Sequence, residues 1–419
     1  MRRSFIHLSA AFALAALFLF AVDSSGADVH GFAQTNYSLR ATGDKPPARQ
    51  GGDYLVAEQR LELEATDEAS RGASFFIKAD FFHDGISDTS GMEIREAYIG
   101  YTTGALDLKI GRQIITWGTG DMLFINDTSP KDYGAFYSGR PLEYLKGPTD
   151  SLKLDITGAL STELVITPSF EPNRLPDGTL FYISDPFSGV NAKIVEEPSM
   201  RTGNAEVSLR LYRYFGSTDV SLYAHRGFSR MPAARPDSMT TPSAVTYFYP
   251  ELSVYGLSAT ASVLGGVGNI EAGYYDSRED KDGSDPAIEN SKVKFLAGYK
   301  RELGAELTAG VQYYIEAMEN YSAYEKNLAL GMPKEKRQRD YVTIRLTKML
   351  MYQTMRLSLF TIYSPSDKDH LVNPEASYKL TDELGFTLGG NIFGGESSAT
   401  PFASLGKNDN IYANMRYQF

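Results

Sequence analysis

The chain contains no cysteine among its 419 residues, and it has only five histidines and one tryptophan. The lack of cysteine excludes a disulfide framework, a thiol nucleophile and a haem-attachment motif. The four histidines that follow residue 27 are isolated, and no two of them have the spacing of metal ligands: His30, His83, His225 and His370. We therefore expect no cofactor, and hydrogen bonds and packing alone must hold the fold.

Long apolar runs are also scarce. The one long run extends over 13 residues, from Ala10 to Val22, after a basic start at Arg2 and Arg3. It is too short for a helical membrane span of roughly 20 residues, and small residues follow it at positions 25–27. This pattern predicts a cleaved secretory signal over residues 1–27 and no helical span in the rest of the chain.

The charge balance is acidic, with a formal net charge of -11 that becomes -12 once residues 1–27, with two arginines and one aspartate, are removed. That balance argues against nucleic acid as a partner. The 27 tyrosines and 23 phenylalanines are a heavy aromatic load, as in barrels that carry aromatic girdles at both membrane interfaces.

The last strand shows the pattern that predicts the fold. Residues of odd number from 411 to 419 are apolar and those of even number from 412 to 418 are largely polar. A wall between lipid and a wet lumen requires this period of two. The terminal aromatic Phe419 resembles the signal that hands bacterial outer-membrane proteins to their assembly machinery, so outer-membrane lipid and that machinery are predicted partners.

The same alternation repeats along residues 28–419. We predict eighteen strands, or sixteen or twenty if one hairpin is fused or split, near 28–40, 53–66, 71–83, 92–103, 105–118, 149–158, 162–172, 203–215, 217–229, 245–263, 267–278, 290–301, 303–317, 339–349, 352–363, 370–380, 383–393 and 409–419. Short and long connections alternate between them. The predicted fold is all-β: one closed antiparallel transmembrane barrel with short periplasmic turns, long extracellular loops and both termini in the periplasm.

Strand parity indicates which charged side chains face the lumen, because an arginine or lysine on the lipid face at midplane would cost about 2 to 4 kcal/mol. The predicted pore-lining residues are Arg95, Arg112, Asp121, Lys153, Arg210, Lys294, Arg345, Arg356 and Arg416. Two interpretations stay open. The cations could form a basic track that steers an anionic solute, or they could pair with carboxylates across strands.

The sharpest motif lies over residues 93–133. It combines Arg95-Glu96-Ala97-Tyr98, the stretch Gly111-Arg112-Gln113 followed by Trp117-Gly118 and Asp121, and Asn126-Asp127 with Pro130 and Asp132. This combination resembles the alginate-export-like porins, whose barrel has eighteen strands. The resemblance implies diffusive passage of a solute rather than catalysis.

The segment after this motif, residues 119–148, is well placed to fold into the pore. In a regular strand Arg112 would face lipid, so we predict that a bulge at Gly111 turns it inward. Asp121, Asp127 or Asp132 would then pair with Arg112 or Arg95. Trp117 is predicted to be an interface anchor, with stacking on a sugar as the alternative.

The function predicted from the sequence is a bacterial outer-membrane porin that passes a small polar solute, either anionic or neutral, by passive diffusion or export. One alternative is a barrel sleeve for an export or electron-transfer assembly, with a periplasmic or export partner. An outer-membrane lipid or peptide hydrolase is the third class, and we predict that the chain is not an enzyme. The absence of trimer features favours a monomer.

Overall fold

A computed structural model describes residues 28–43, 46, 52–68, 72–183, 185–238, 240–328 and 334–419 of the chain. Eighteen antiparallel strands form one closed sheet, and each strand pairs with its neighbours in chain order. The strand count and the fold class predicted from the sequence are therefore confirmed. The predicted signal, residues 1–27, lies outside the described residues and stays a prediction.

The strands are numbered here in chain order, with β8, β11 and β12 forming a small separate sheet in the loops. They are β1 (Asp28–Arg40), β2 (Tyr54–Glu68), β3 (Ala73–Asp84), β4 (Thr89–Thr103), β5 (Leu106–Gln113), β6 (Thr149–Ile156), β7 (Ser161–Thr167), β8 (Ala192–Glu196), β9 (Glu206–Phe215), β10 (Thr218–Phe228), β11 (Ala233–Pro236), β12 (Ala244–Phe248), β13 (Glu251–Val263), β14 (Gly266–Ser277), β15 (Lys292–Glu302), β16 (Leu307–Met318), β17 (Gln338–Leu350), β18 (Met355–Ser364), β19 (Asp369–Lys379), β20 (Leu384–Gly395) and β21 (Asn410–Gln418). Two short helices accompany them, α1 (Tyr133–Tyr137) and α2 (Tyr321–Asn327).

The barrel closes where the first strand meets the last. β1 and β21 pair in antiparallel register from Phe32 opposite Gln418 to Arg40 opposite Asn410. Gly31 and Phe419 extend this ladder by exchanging two backbone hydrogen bonds of 3.0 Å each. Because closure satisfies every edge strand, the sheet can sit in lipid without unpaired backbone groups.

Side-chain exposure follows the predicted parity. In β17, Ile344 is 44% exposed on the outer face while Thr343 is 2% exposed on the inner face. In β21, Met415 is 47% exposed and its neighbour Asn414 only 8%. The outer surface is therefore apolar and the interior polar, as expected for an outer-membrane barrel.

Three predicted strands differ from the structure. The strand expected at 162–172 ends at Thr167. The strand expected at 105–118 ends at Gln113, and the chain then leaves the wall. The single strand expected at 245–263 is divided into β12 and β13. Pro250 lies at the break, and its missing N–H cannot donate to a ladder.

A small sheet lies outside the barrel wall. The small sheet pairs β12 with β8 in parallel and with β11 in antiparallel orientation, on the side of the long loops. Among the residues that the structure describes, no helix has both the length and the apolar character needed to cross a membrane.

Candidate functional site

Residues 114–148, here called the inner segment, leave the barrel wall after β5 and return to it at β6. The segment contains α1, whose first turn is capped by the Asp132 carboxylate accepting a hydrogen bond of 2.7 Å from the Ala135 N–H. Gly139 follows α1 with a φ of +83°, a conformation that favours glycine. The chain can therefore turn sharply here without strain.

A buried glutamate on β14 anchors the start of the inner segment. Glu271 is 1% exposed. Its carboxylate accepts hydrogen bonds from the backbone N–H groups of Thr119 at 2.8 Å, Gly120 at 3.2 Å and Asn126 at 2.7 Å. The Asn126 side-chain amide adds a bond of 3.0 Å. These bonds satisfy loop N–H groups that would otherwise be buried without acceptors.

An ion-pair cluster stabilises the middle of the segment. The Asp127 carboxylate accepts hydrogen bonds from Lys131 Nζ at 2.9 Å and Lys146 Nζ at 3.2 Å. The side chains of Asp127 and Lys131 are 2% and 3% exposed. Burial lowers the pKa of Lys131, although Asp127 opposes that shift. The cluster is internal to the segment, so it fixes the segment's own shape.

Other contacts connect the segment to different parts of the wall. Arg95 on β4 donates to the carbonyl oxygens of Glu143 and Lys146, both at 3.0 Å. On the other side of β1, Asn391 on β20 and Asn410 on β21 donate to the Tyr137 carbonyl at 3.2 and 2.9 Å. Together with Glu271 on β14, these bonds link the segment to strands distributed around the barrel.

Two large cavities lie beside the inner segment. The first, about 550 Å³, is lined by residues 381–384 of a periplasmic turn and, from the segment, by Met122 and Phe136. The second, about 540 Å³, is lined by residues 286–290 of an extracellular loop and, from the segment, by Phe124 and Tyr133. We call them the periplasmic and extracellular cavities. Phe360 of one apolar cluster lines the periplasmic cavity, and Tyr275, which packs against a second cluster containing Ile125 and Leu296, lines the extracellular one.

Three of the predicted pore-lining residues meet at the periplasmic cavity, namely Arg345, Arg356 and Arg416. Each contacts a carboxylate. Arg345 donates to Asp121 from Nη2 at 2.8 Å, and Arg356 donates to Glu375 at 2.7 Å. Arg416 pairs with Glu143 of the inner segment and donates to Gln34 at 2.8 Å through Nε.

The remaining cations occupy other places. Lys294 lines the extracellular cavity, with Nζ 3.6 Å from the centre of the Tyr275 ring. Lys153 and Arg210 both contact Glu163, at 3.1 and 3.6 Å. The nine predicted residues therefore form separate groups, and most of their cations pair with carboxylates.

The structure corrects the prediction made for Arg112 and Gly111. The pairing of β5 with β4 and β6 runs through Gly111 without a register shift, so the predicted bulge is not at Gly111. The Arg112 side chain is 15% exposed and lines a small cavity together with Pro130 and Asp132 of the inner segment. The bulge lies in β4 instead, where Arg95 is the extra residue between Ile94 and Glu96. Arg112 Nε donates to the Ile94 carbonyl at 2.9 Å, which supports this bulge.

The acidic residues of the segment also have different partners from those predicted. Asp121 pairs with Arg345 instead of Arg112 or Arg95, and Asp127 pairs with Lys131 and Lys146. Asp132 caps α1 and lies 3.7 Å from Arg174. Sequence spacing does not reveal Arg345 as the partner of Asp121, because the wall and the segment meet only in the folded barrel.

Trp117 is not an interface anchor. Its side chain is 7% exposed and packs inside the barrel with Ile115, Val165 and Tyr223. Its indole Nε1 donates to Glu163 at 2.8 Å. The prediction was wrong because β5 ends before Trp117, which is therefore not part of the lipid-facing wall.

A serine, a histidine and a glutamate meet inside the barrel on β9 and β10. Ser208 Oγ lies 2.8 Å from His225 Nδ1, and His225 Nε2 lies 3.9 Å from Glu206. The adjoining cavity measures about 20 Å³, which suits a water molecule and not a lipid or peptide. The arrangement therefore gives the hydrolase alternative no binding cleft. Among the described residues, no group of three His, Asp or Glu could hold a metal ion.

Taken together, the apolar outer face, the closed eighteen-strand sheet and the charged interior define a porin-like barrel of the bacterial outer membrane. By sequence, the chain belongs to the family described as "Protein of unknown function (DUF1302)", whose model matches residues 16–327. The predicted resemblance to the alginate-export-like porins is a different assignment, and it stays a prediction.

The comparison with solved structures found similar outer-membrane proteins. OccD3 (OpdP) of Pseudomonas aeruginosa superimposes with a TM-score of 0.55 at 10% identity, over 94% of this chain and 91% of that one. The OmpF of Salmonella typhi has a TM-score of 0.44 at 8% identity, over 94% of this chain and 97% of that one. A mutant of the Rh. blastica porin has a TM-score of 0.41 at 11% identity, over 94% of this chain and 100% of that one. At this identity the OccD3 similarity shows the fold alone. The comparison with curated proteins gave no match.

Proposed function

We propose that the chain is an outer-membrane channel through which a small polar solute passes by passive diffusion or export. The observation that carries this proposal is the pair of cavities, one on the periplasmic side and one on the extracellular side of the inner segment, within a closed barrel. Each has the volume of a site for a small organic molecule. The inner segment is then the constriction that a solute must pass.

The charges around the periplasmic cavity bear on selectivity. Its cations are Arg140, Arg345, Arg356, Lys379 and Arg416, and its acidic residues are Glu143, Glu375, Asp382 and Glu383. Because the two sets nearly balance, a strong field that attracts every anion is not expected. An anionic solute would instead be favoured where it can replace a carboxylate that already contacts an arginine.

Three further parts of the proposal concern identity and partners. Alginate-export-like transport would agree with a polar solute and with the motif at residues 93–133. Phe419 at the end of the closing ladder would present the C-terminal signal to the assembly machinery while β21 is still unpaired. A periplasmic or export partner would meet the barrel on the side of the short turns, where residues 381–384 line the cavity.

Liposome swelling with solutes of equal size and different charge tests the proposal. The protein would be folded into vesicles and challenged with neutral, acidic and basic solutes, with empty vesicles as the control. Swelling that depends on the protein is expected. Vesicles that stay impermeable with folded protein would contradict the channel and favour a sleeve that needs a partner.

A further inference from the structure

The Asp121–Arg345 pair differs from the other contacts that hold the inner segment. Arg345 donates to both carboxylate oxygens of Asp121, from Nε at 2.5 Å and from Nη2 at 2.8 Å. The two side chains are 38% and 30% exposed, whereas Asp127 and Glu271 are almost fully buried. Because Arg345 lines the periplasmic cavity, a dissolved molecule can reach this pair.

The orientation of the Arg345 guanidinium is fixed by the wall. It lies over the ring of Phe360, 4.3 Å from the centroid, and the two residues are directly opposite each other on β17 and β18. Phe360 is 2% exposed and belongs to an apolar cluster. A planar guanidinium held in this way matches a carboxylate with two parallel hydrogen bonds.

Apolar side chains line part of the cavity that Arg345 lines, alongside its charged groups. Met122 and Phe136 of the inner segment, with Met349 and Phe360 of the wall, line the same cavity. A solute bound to Arg345 through a carboxylate would place the rest of its body against these side chains. A small anion without an apolar body would gain the ionic contact but none of the burial.

We propose that the Arg345 end of the periplasmic cavity binds an organic carboxylate with an apolar body, and that its carboxylate takes the place of Asp121. This inference rests on the proposed channel function, since it names the class of solute that the channel takes. The exchange leaves one carboxylate on Arg345 before and after binding. Asp121 then loses its partner, so its own charge competes with the solute.

Competition by Asp121 gives a test that does not depend on transport. Binding of 4-phenylbutyrate to the folded protein in detergent micelles would be measured by isothermal titration calorimetry, with formate and 4-phenylbutanol as comparison probes. Asp121→Asn removes the competing charge and should bind 4-phenylbutyrate at least tenfold more tightly than the natural chain. Formate and the neutral alcohol should bind at least tenfold more weakly than 4-phenylbutyrate.

The arginine is tested by two variants and one control. Arg345→Gln should bind 4-phenylbutyrate at least tenfold more weakly than the natural chain. Arg345→Lys should have an affinity between those two, because lysine keeps the charge but lacks the planar guanidinium. Arg213→Gln, on β9 outside the cavity, should bind as the natural chain does. Each variant must first show the heat-modifiable migration of a folded barrel.

Two results would overturn the inference: Asp121→Asn binds no more tightly than the natural chain, or formate binds as well as 4-phenylbutyrate. Failure here is distinguishable from failure of the channel. Vesicles that swell while micelles bind no carboxylate would leave the channel standing without this site. Tight binding with impermeable vesicles would leave the site standing without the channel.

Discussion

Asn126 donates two hydrogen bonds to Glu271, one from its backbone N–H at 2.7 Å and one from its side-chain amide at 3.0 Å. The two residues are 145 positions apart in the chain, and both are buried. Since the same carboxylate also accepts bonds from Thr119 and Gly120, one residue of the wall holds both ends of a loop. Glu271 thus anchors the start of the inner segment, from Thr119 to Asn126, to the wall.

Glu271→Gln should therefore loosen the inner segment while the barrel still forms. The amide presents an NH₂ group to donors that need an acceptor, and an unsatisfied buried group costs about 1 to 3 kcal/mol. We expect the free energy of unfolding, measured by urea titration in vesicles, to fall by about this amount. Glu302→Gln, at the exposed periplasmic end of β15, is the matched control and should change it little. Equal stability of the two variants would contradict the anchoring role.

The buried Asp127–Lys131 pair gives a second prediction. Asp127→Ala would leave the Lys131 charge buried without its main partner, at a cost of about 3 to 5 kcal/mol in the free energy of unfolding. The double variant Asp127→Ala with Lys131→Met should recover most of that loss, because no charge stays buried. Urea unfolding of both variants measures the difference. A double variant no more stable than Asp127→Ala would refute this account of the cluster.

The lowered pKa of Lys131 predicts a dependence of stability on pH. The unfolded chain keeps the ordinary pKa near 10.5, so between the lowered folded value and 10.5 the unfolded state binds more protons. The free energy of unfolding should therefore rise with pH through that window. Lys131→Met should lack this rise. The free energies of unfolding of the natural chain and of Lys131→Met, measured by urea titration from pH 7 to pH 10, give the difference. A difference that stays constant with pH would contradict the prediction.

A substitution at Gly139 tests the contact between the inner segment and β21. A Cβ at this position would lie 2.3 Å from Tyr412 Cδ1, and the φ of +83° disfavours any other residue. Gly139→Ala should lower the free energy of unfolding by about 1 to 3 kcal/mol, as overpacking in a tight interior does. Gly178→Ala is the matched control, since a Cβ there would meet nothing within 4 Å. Equal unfolding midpoints for the two variants would show that the segment does not pack against Tyr412.

The wall could be predicted from the sequence because its signal is local. Each strand alternates between residues for lipid and residues for the lumen, so the pattern around Ile344 or Met415 is visible within a few positions. The strands were found to within a few residues, except where Pro250 breaks a strand and where β5 and β7 end early. The periplasmic turns are short as predicted, but two of the extracellular connections, residues 85–88 and 365–368, are short as well.

The interior could not be predicted in the same way, since its contacts join distant positions. Glu271 is one carboxylate on a strand, and nothing near it in sequence shows that five groups of the inner segment converge on it. Trp117 was misassigned because its facing depends on where β5 ends, and the bulge predicted at Gly111 lies in the neighbouring strand instead. Asp121 was expected to pair with an arginine, but which one depended on the path of the loop.

The most direct test of the account is single-channel recording in planar bilayers, with the natural chain and Glu271→Gln compared at the same protein concentration. If the barrel is a channel narrowed by the inner segment, the natural chain gives discrete conductance steps and Glu271→Gln gives larger or more variable ones. Folded protein that produces no steps in either form would contradict the account.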